Sequence, residues 1–372
     1  MPRRAPWIVL AVAVMAMLAL ASGVAGGLVR AGAGMPAALA GSWLTAAVGA
    51  HAFLMVCAFL GTVIGLERAV ALKTPAAFAG PLASALGGVA ALLGHDAEAR
   101  GLAGLASLLF VYVNLRIVAM QRATHTVLLL VGALAWSVGC MLYLAHAPAD
   151  AVVPWWFSFL VLTIAAERLE MARLMRHRAG AAQMLNALLL AMLCGAALSA
   201  PWPMAGGLVF GLSLCGLAAW LLSNDIARRT LRAQGLSRYM AACLLGGYAW
   251  LFVAGLAWAA TAGGLPLRDV ALHALALGFV FSMMLGHAPV ILPAIARVKV
   301  AYGRAFYLPL ALLHGSLIVR LGGGSFDPHW LAQGAAGNAV ALLAFVATIA
   351  VAAMTWRLRH RHRHRHPVPG TP

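Results

Sequence analysis

Residues 273–295 read HALALGFVFSMMLGHAPVILPAI, an apolar run whose only ionisable side chains are His273 and His287. A helix of this length rises about 34 Å, enough to cross the roughly 30 Å hydrocarbon core of a bilayer. Similar runs recur along the 372-residue chain, which is 63% hydrophobic and 9% charged, whereas soluble domains carry about 25% charged residues. The sequence therefore predicts an all-α polytopic membrane protein.

Twelve such runs are spaced along the chain, and each is long enough to span a membrane. They lie near 7–29, 43–66, 76–94, 101–120, 126–146, 152–169, 182–199, 204–222, 239–262, 270–295, 305–321 and 332–356. The first run is long for the apolar region of a signal peptide and many spans follow it, so we interpret it as a retained helix. The predicted transmembrane domain therefore covers residues 1–356.

The basic residues sort to one side of the membrane if both termini are cytoplasmic. Of the 26 Lys and Arg residues, the four that then lie outside are Arg30, Arg100, Arg268 and Arg320. The positive-inside rule accordingly predicts cytoplasmic termini, in a bacterial inner membrane. Anionic lipid headgroups account for the net charge of +17, so we expect membrane lipid as a partner and no nucleic acid.

The segment 357–372 contains alternating Arg and His and is of low complexity. Like charges repel one another in such a segment, which predicts a disordered cytoplasmic tail attracted to lipid. Metal binding by the four tail histidines is the alternative interpretation.

Two local similarities indicate an internal repeat. FLGTVIGLER at 59–68 matches FLVLTIAAER at 159–168, and HAFLMVCAF at 51–59 matches HALALGFVF at 273–281. The matched segments lie on spans 2, 6 and 10, which predicts a four-helix unit present three times. The predicted repeats, each a four-helix arc, cover approximately 7–120, 126–222 and 239–356.

Two Glu-Arg pairs, Glu67-Arg68 and Glu167-Arg168, fall at the cytoplasmic ends of spans 2 and 6. The simpler interpretation is an interfacial ion pair whose long side chains reach toward the headgroups. The alternative is a role in proton entry or gating.

Two intramembrane histidines, His51 and His273, are predicted to lie at the same depth. Both spans run inward, with His51 eight residues after Trp43 and His273 five after Arg268, so their depths agree within about one helical turn. An ionisable side chain in hydrocarbon requires a partner. Two imidazoles at one level, on helices related by a repeat, form an axial ligand set for the iron of a haem.

The remaining candidates have weaker arguments. His287 lies about 21 Å along the helix from His273, and we expect it to bond a carbonyl freed by Pro289 or Pro293. His314 is expected to be a pocket residue or a substitute ligand. Arg320 is expected to hold a haem propionate. Trp155 and Trp156 are expected to lie either in the interfacial aromatic belt or along the pocket.

Twelve spans in three arcs, with histidines on spans 2 and 10, resemble subunit I of the haem–copper oxidases. More specifically, HALALGFVFSMMLGHAPV, followed by YGRAF and LLHGSLIVRL, resembles the NnrS family of membrane haem proteins. The oxidase resemblance implies a haem held by one His from each helix, and the NnrS resemblance implies a role in nitric oxide or nitrosative-stress response.

The sequence departs from the oxidases where these bind copper. Leu275 occupies the place of a second histidine on the tenth helix, and spans 6 and 7 contain no intramembrane histidine. We therefore expect haem b without copper, with a quinone or a respiratory redox partner. Two other hypotheses are a proton-coupled secondary transporter, in which the histidines relay protons, and a non-catalytic partner of a respiratory complex.

Overall fold

The structure, a computed structural model, describes residues 6–34, 41–172, 179–296 and 299–365. Within these residues it is helical and contains no strand. Twelve of the described helices are long and apolar enough to cross a membrane. The predicted fold class, an all-α polytopic membrane protein, is therefore confirmed.

The twelve spans are numbered here in chain order. They are α1 (Trp7–Arg30), α2 (His51–Leu72), α3 (Pro75–Leu92), α4 (Asp96–Met120), α5 (Thr124–Leu144), α6 (Ala149–Met171), α7 (Ala181–Leu198), α8 (Pro203–Asn224), α9 (Gly235–Ala262), α10 (Arg268–Pro293), α11 (Arg304–Ser325) and α12 (Pro328–Arg359). We call the end of the bundle at which α2, α6 and α10 begin the His51 end, and the opposite end the Glu67 end.

Two segments differ from their predicted bounds. The predicted second span begins near residue 43, but a separate short helix, Ser42–Gly49, comes first and α2 begins at His51. At the other end of the chain, the last helix continues to Arg365, through the first part of the predicted tail. Residues 366–372 of that tail lie outside the described residues.

The helices pack mainly against their neighbours in the chain, and contacts between α1 and α12 bring the two ends of the chain together. Helices α2, α6 and α10 are the most buried, with 67%, 78% and 61% of their apolar windows inside the protein. Helix α10 contacts both α2 and α6. These three are the helices that the sequence repeat related to one another, each the second helix of its predicted arc.

Helices α2 and α10 share a further feature. Each contains an eight-residue π-helical segment, Leu54–Gly61 in α2 and Ala274–Phe281 in α10. Phe59 and Phe281, which the sequence comparison aligned, stack with ring centroids 6.1 Å apart. π-helical turns are rare in proteins, and where they occur they are often found at functional sites.

Candidate functional site

A cavity of about 470 Å³ lies toward the His51 end, between α1, α2, α6, α10 and α12. Its walls are mostly apolar, with Val24 from α1, Leu160 from α6 and Leu342 from α12 among them. The charged and polar side chains that line it are Arg30, His51, Arg268, Asp269, His273, Arg320 and Asn338. An apolar concave space with a few convergent polar groups is typical of cofactor and small-molecule sites.

His51 and His273 come together in this cavity. Their ring centroids are 6.3 Å apart and their planes are inclined by 32°. Two small residues also line the space: Ala52, which follows His51 on α2, and Ala276, three residues after His273 on α10. Two imidazoles from separate inner helices therefore border one cavity.

Helix α1 holds the His51 ring. The Nδ1–H of His51 donates a hydrogen bond of 2.7 Å to the backbone carbonyl of Gly23. One turn later, a Cβ at Gly27 would lie 2.7 Å from Cε1 of the imidazole, so only glycine allows this approach. Gly23 and Gly27 thus form a small-xxx-small pair, which lets membrane helices come close. With Nδ1 protonated, Nε2 of neutral His51 retains its lone pair.

Asp269 holds the His273 ring from one turn earlier in α10. The Nδ1 of His273 lies 2.9 Å from Oδ1 and 3.1 Å from the backbone oxygen of Asp269. Both atoms are acceptors, so Nδ1 carries the proton and Nε2 has the lone pair. Such a carboxylate–imidazole pair is the arrangement that commonly fixes the tautomer and orientation of a metal-binding histidine.

Arg320 joins this pair from α11. Its Nε and Nη2 donate to the two carboxylate oxygens of Asp269 at 3.1 and 2.9 Å, a bidentate geometry. The same Nη2 lies almost equally far from both ring nitrogens of His273, 3.2 Å from Nδ1 and 3.1 Å from Nε2. Arg320 is 8% exposed, and a Cβ at Gly334 of α12 would overlap its backbone. The guanidinium is therefore fixed against Asp269 and also covers Nε2 of His273.

The two other arginines of the cavity differ in their partners. Arg268 is paired with Asp150, and both side chains are largely exposed. Arg30 donates a long 3.4 Å hydrogen bond to the carbonyl of Val48, and it has no carboxylate partner among the described residues. Of the three arginines that line the cavity, Arg30 is thus the one whose charge is not matched by a neighbouring acid.

Two predicted candidates lie away from the cavity. The Nδ1 of His314 accepts a hydrogen bond of 2.9 Å from Trp250 Nε1, so its Nε2 carries the proton and faces Ser282 Oγ at 3.2 Å. Both nitrogens of His314 are therefore engaged between α9 and α10. Trp155 does not line the cavity, whereas its neighbour Trp156 does.

The Glu67 end contains a second polar cluster. Arg68 Nη2 lies 3.1 Å from Glu167 Oε1 and 3.5 Å from Glu67 Oε1. Arg168 turns away from this group and donates through Nε to Asp225 at 2.8 Å. The cluster joins the two predicted Glu-Arg pairs, which sequence analysis placed at the same end of the membrane.

His287 borders the same cluster. Its Nδ1–H donates to the carbonyl of Met283 at 2.7 Å, and its Nε2 lies 3.4 Å from Arg168 Nη1. The carbonyl that Pro289 deprives of its helical donor is that of Leu285, and the hydroxyl of Tyr239 donates to it at 3.3 Å. His287 was predicted to bond a carbonyl freed by a proline. The carbonyl freed by Pro289 instead accepts its hydrogen bond from Tyr239.

Asp269, Asp225 and Arg30 take part in the two polar sites without having been predicted as site residues from the sequence. Asp269 was detectable, since it is an acid one turn before His273 in a chain with 9 acidic residues. Asp225 lies in the connection after α8, and its pairing with Arg168 of α6 follows only from tertiary packing. The position of Arg30 at the cavity likewise depends on how α1 packs.

A family model described as a domain of unknown function (DUF8744) matches residues 9–354. The match spans most of the chain, and the chain belongs to this family. No curated protein and no solved structure matches it. The resemblance to the NnrS family stays a prediction.

Proposed function

We propose that this member of the DUF8744 family binds a b-type haem within the membrane, with His51 and His273 as the axial ligands of the iron. The observation that carries the proposal is the 6.3 Å separation of the two ring centroids in one cavity. A metal ion between two imidazole nitrogens, each about 2 Å away, separates the centroids by roughly 6 to 6.5 Å, because each centroid lies about 1 Å behind its nitrogen. The two residues therefore fit the group.

The hydrogen bonds of the two rings support the same assignment. Both imidazoles donate through Nδ1, to Gly23 and to Asp269, which leaves Nε2 as the nitrogen available to iron. Arg320 Nη2 lies next to Nε2 of His273, and we expect it to move aside when the site is filled. Its bidentate bond to Asp269 provides an anchor that does not depend on the imidazole.

The arginines at the rim of the cavity suit the propionates of a haem. Arg320 is the residue predicted from the sequence for this role, but Asp269 neutralises its guanidinium. Arg30, which lacks an acidic partner among the described residues, is the better candidate. An arginine binds a carboxylate with two parallel hydrogen bonds when two N–H groups on one side of its guanidinium have no other acceptor.

A bound haem supplies one-electron redox chemistry. With His51 and His273 both holding its iron, no coordination position would be open, which would favour electron transfer over the binding of a gas. A quinone or a respiratory protein is the corresponding partner, and the NnrS resemblance adds a link to nitric oxide response. Copper is not part of the proposal. We also propose a bacterial inner membrane, cytoplasmic termini and a His51 end that faces outward.

The test is the absorption spectrum of the purified full-length protein. We expect a haem Soret band in the wild type and its loss in His51→Ala and in His273→Ala. His329→Ala is a matched control, since His329 is an exposed histidine that does not line the cavity, and we expect it to keep the band. A protein without haem, or a spectrum unchanged in both ligand variants, would refute the proposal.

A further inference from the structure

The cluster at the Glu67 end has more carboxyl groups than guanidinium groups. Glu67 and Glu167 both approach a single atom, Nη2 of Arg68, at 3.5 and 3.1 Å. Their side chains are 26% and 21% exposed, and that of Arg68 is 12% exposed. One guanidinium on α2 thus serves two carboxyl groups, one from α2 and one from α6.

The nearest second guanidinium is already neutralised. Arg168 donates to Asp225 through Nε at 2.8 Å and through Nη2 at 3.4 Å, and the two side chains are 4% and 2% exposed. Asp225 also accepts the backbone N–H of Ala227 at 2.7 Å, which fixes its orientation. The carboxylate partner of Arg168 is therefore Asp225, and not Glu67 or Glu167.

The neighbouring histidine offers none either. His287 donates through Nδ1 to Met283, and its Nε2 faces a guanidinium N–H of Arg168, which requires an acceptor there. His287 is therefore neutral in this arrangement. On the other side, Glu170 is 48% exposed and pairs at 4.0 Å with His125, at the surface.

The described side chains of the cluster thus comprise three carboxyl groups, from Glu67, Glu167 and Asp225, and two guanidinium groups, from Arg68 and Arg168. With every group ionised, one negative charge remains without a partner. An unpaired charge on a largely buried side chain is disfavoured, and two carboxylates that compete for one cation repel each other. Binding of one proton by the two carboxyl groups removes both the unpaired negative charge and the repulsion between the carboxylates.

We propose that Glu67 and Glu167 form a proton-binding site, in which the two carboxyl groups share one proton beside the guanidinium of Arg68. In the proposed orientation the proton comes from cytoplasmic water, which reaches the partly exposed carboxyl groups. The site lies at the opposite end of α2 from His51, sixteen residues or roughly 24 Å away. It does not depend on the presence of haem.

The experiment is infrared spectroscopy of the full-length protein in lipid bilayers at neutral pH. A shared proton gives the carbonyl stretch of a protonated carboxyl, which shifts in deuterium oxide. Glu67→Gln and Glu167→Gln each leave one carboxylate for one guanidinium, so we expect either variant to abolish the band. Glu170→Gln is the matched control and keeps it.

A variant that removes the cation, where the first two each remove a carboxyl group, provides a second measurement. Arg68→Gln removes the cation and keeps both carboxyl groups, so we expect the band to grow about twofold, as the second carboxyl also binds a proton. An ion-paired cluster with a purely structural role has no such band in the wild type. Absence of the band from the folded wild type, or its persistence in both glutamine variants, would overturn the proposal.

Discussion

The Nδ1–H of His51 donates a 2.7 Å hydrogen bond to the backbone carbonyl of Gly23, so α1 determines the direction of a ring that lies on α2. The next turn of α1 presents Gly27 to the same imidazole. Helix α1 therefore orients one of the two candidate ligands without supplying a ligand itself. Substitutions on α1 should act on the cavity through this contact.

Gly27→Ala should displace the His51 ring, because the added Cβ would lie 2.7 Å from Cε1. If the haem proposal holds, we expect haem affinity to fall by about tenfold or more, in the range found when the support of a metal-binding histidine is lost. The measurement is haem titration of the apoprotein, followed by absorption. Gly49→Ala is the control: Gly49 also lines the cavity, and a Cβ there meets nothing within 4 Å. Equal affinities of the two variants would contradict the role of Gly27.

Asp269→Asn should weaken haem binding from the opposite side of the cavity. The amide no longer neutralises Arg320, and its NH2 group can face Nδ1 of His273 with a donor. We expect a loss of about 10- to 100-fold in affinity. Asp150→Asn changes an acid that is 64% exposed and pairs with Arg268, and it should leave affinity within about twofold. A larger effect at Asp150 than at Asp269 would refute the assignment.

His314→Ala should lower stability and keep haem. The substitution leaves the indole N–H of Trp250 without its acceptor, which costs about 1 kcal/mol in a membrane protein. We expect a lower thermal unfolding temperature in detergent and an unchanged Soret band per molecule of protein. Loss of the band would instead make His314 a ligand, the role that sequence analysis left open.

The membrane spans and the two central imidazoles were accessible from the sequence because their signals are local or repeated. The twelve membrane-spanning helices follow directly from the length of the apolar runs in the sequence. The match between 51–59 and 273–281 relates His51 to His273, and helix geometry alone then gives their common depth. The structure adds the lateral packing that brings the rings within 6.3 Å, which hydropathy does not encode.

Contacts between non-adjacent helices were beyond the sequence. Trp250 on α9 engages His314 on α11, and an apolar periodicity that is nearly uniform around each helix does not reveal which faces meet. The same limit explains why Trp156, and not Trp155, lines the cavity, since adjacent residues point about 100° apart on a helix. Asp225 follows α8 and reaches Arg168 only in the folded bundle.

Removal of one partner of the Arg168–Asp225 pair should strongly destabilise the protein. Arg168→Met leaves a carboxylate that is 2% exposed without its cation, and breaking a buried pair in this way costs about 3 to 5 kcal/mol. Adding Asp225→Asn removes the orphaned charge and keeps an acceptor for Ala227 N–H, so the double variant should recover to within about 1 kcal/mol of the wild type.

Arg268→Met is the matched control for that series, because its pair with Asp150 is exposed and should be worth less than about 1 kcal/mol. The measurement is denaturant unfolding of the four proteins in detergent micelles. The interpretation requires the single variant Arg168→Met to be the least stable of the set. If the double variant is as unstable as Arg168→Met, the loss comes from packing of the arginine stem, and the buried charge of Asp225 is not its cause.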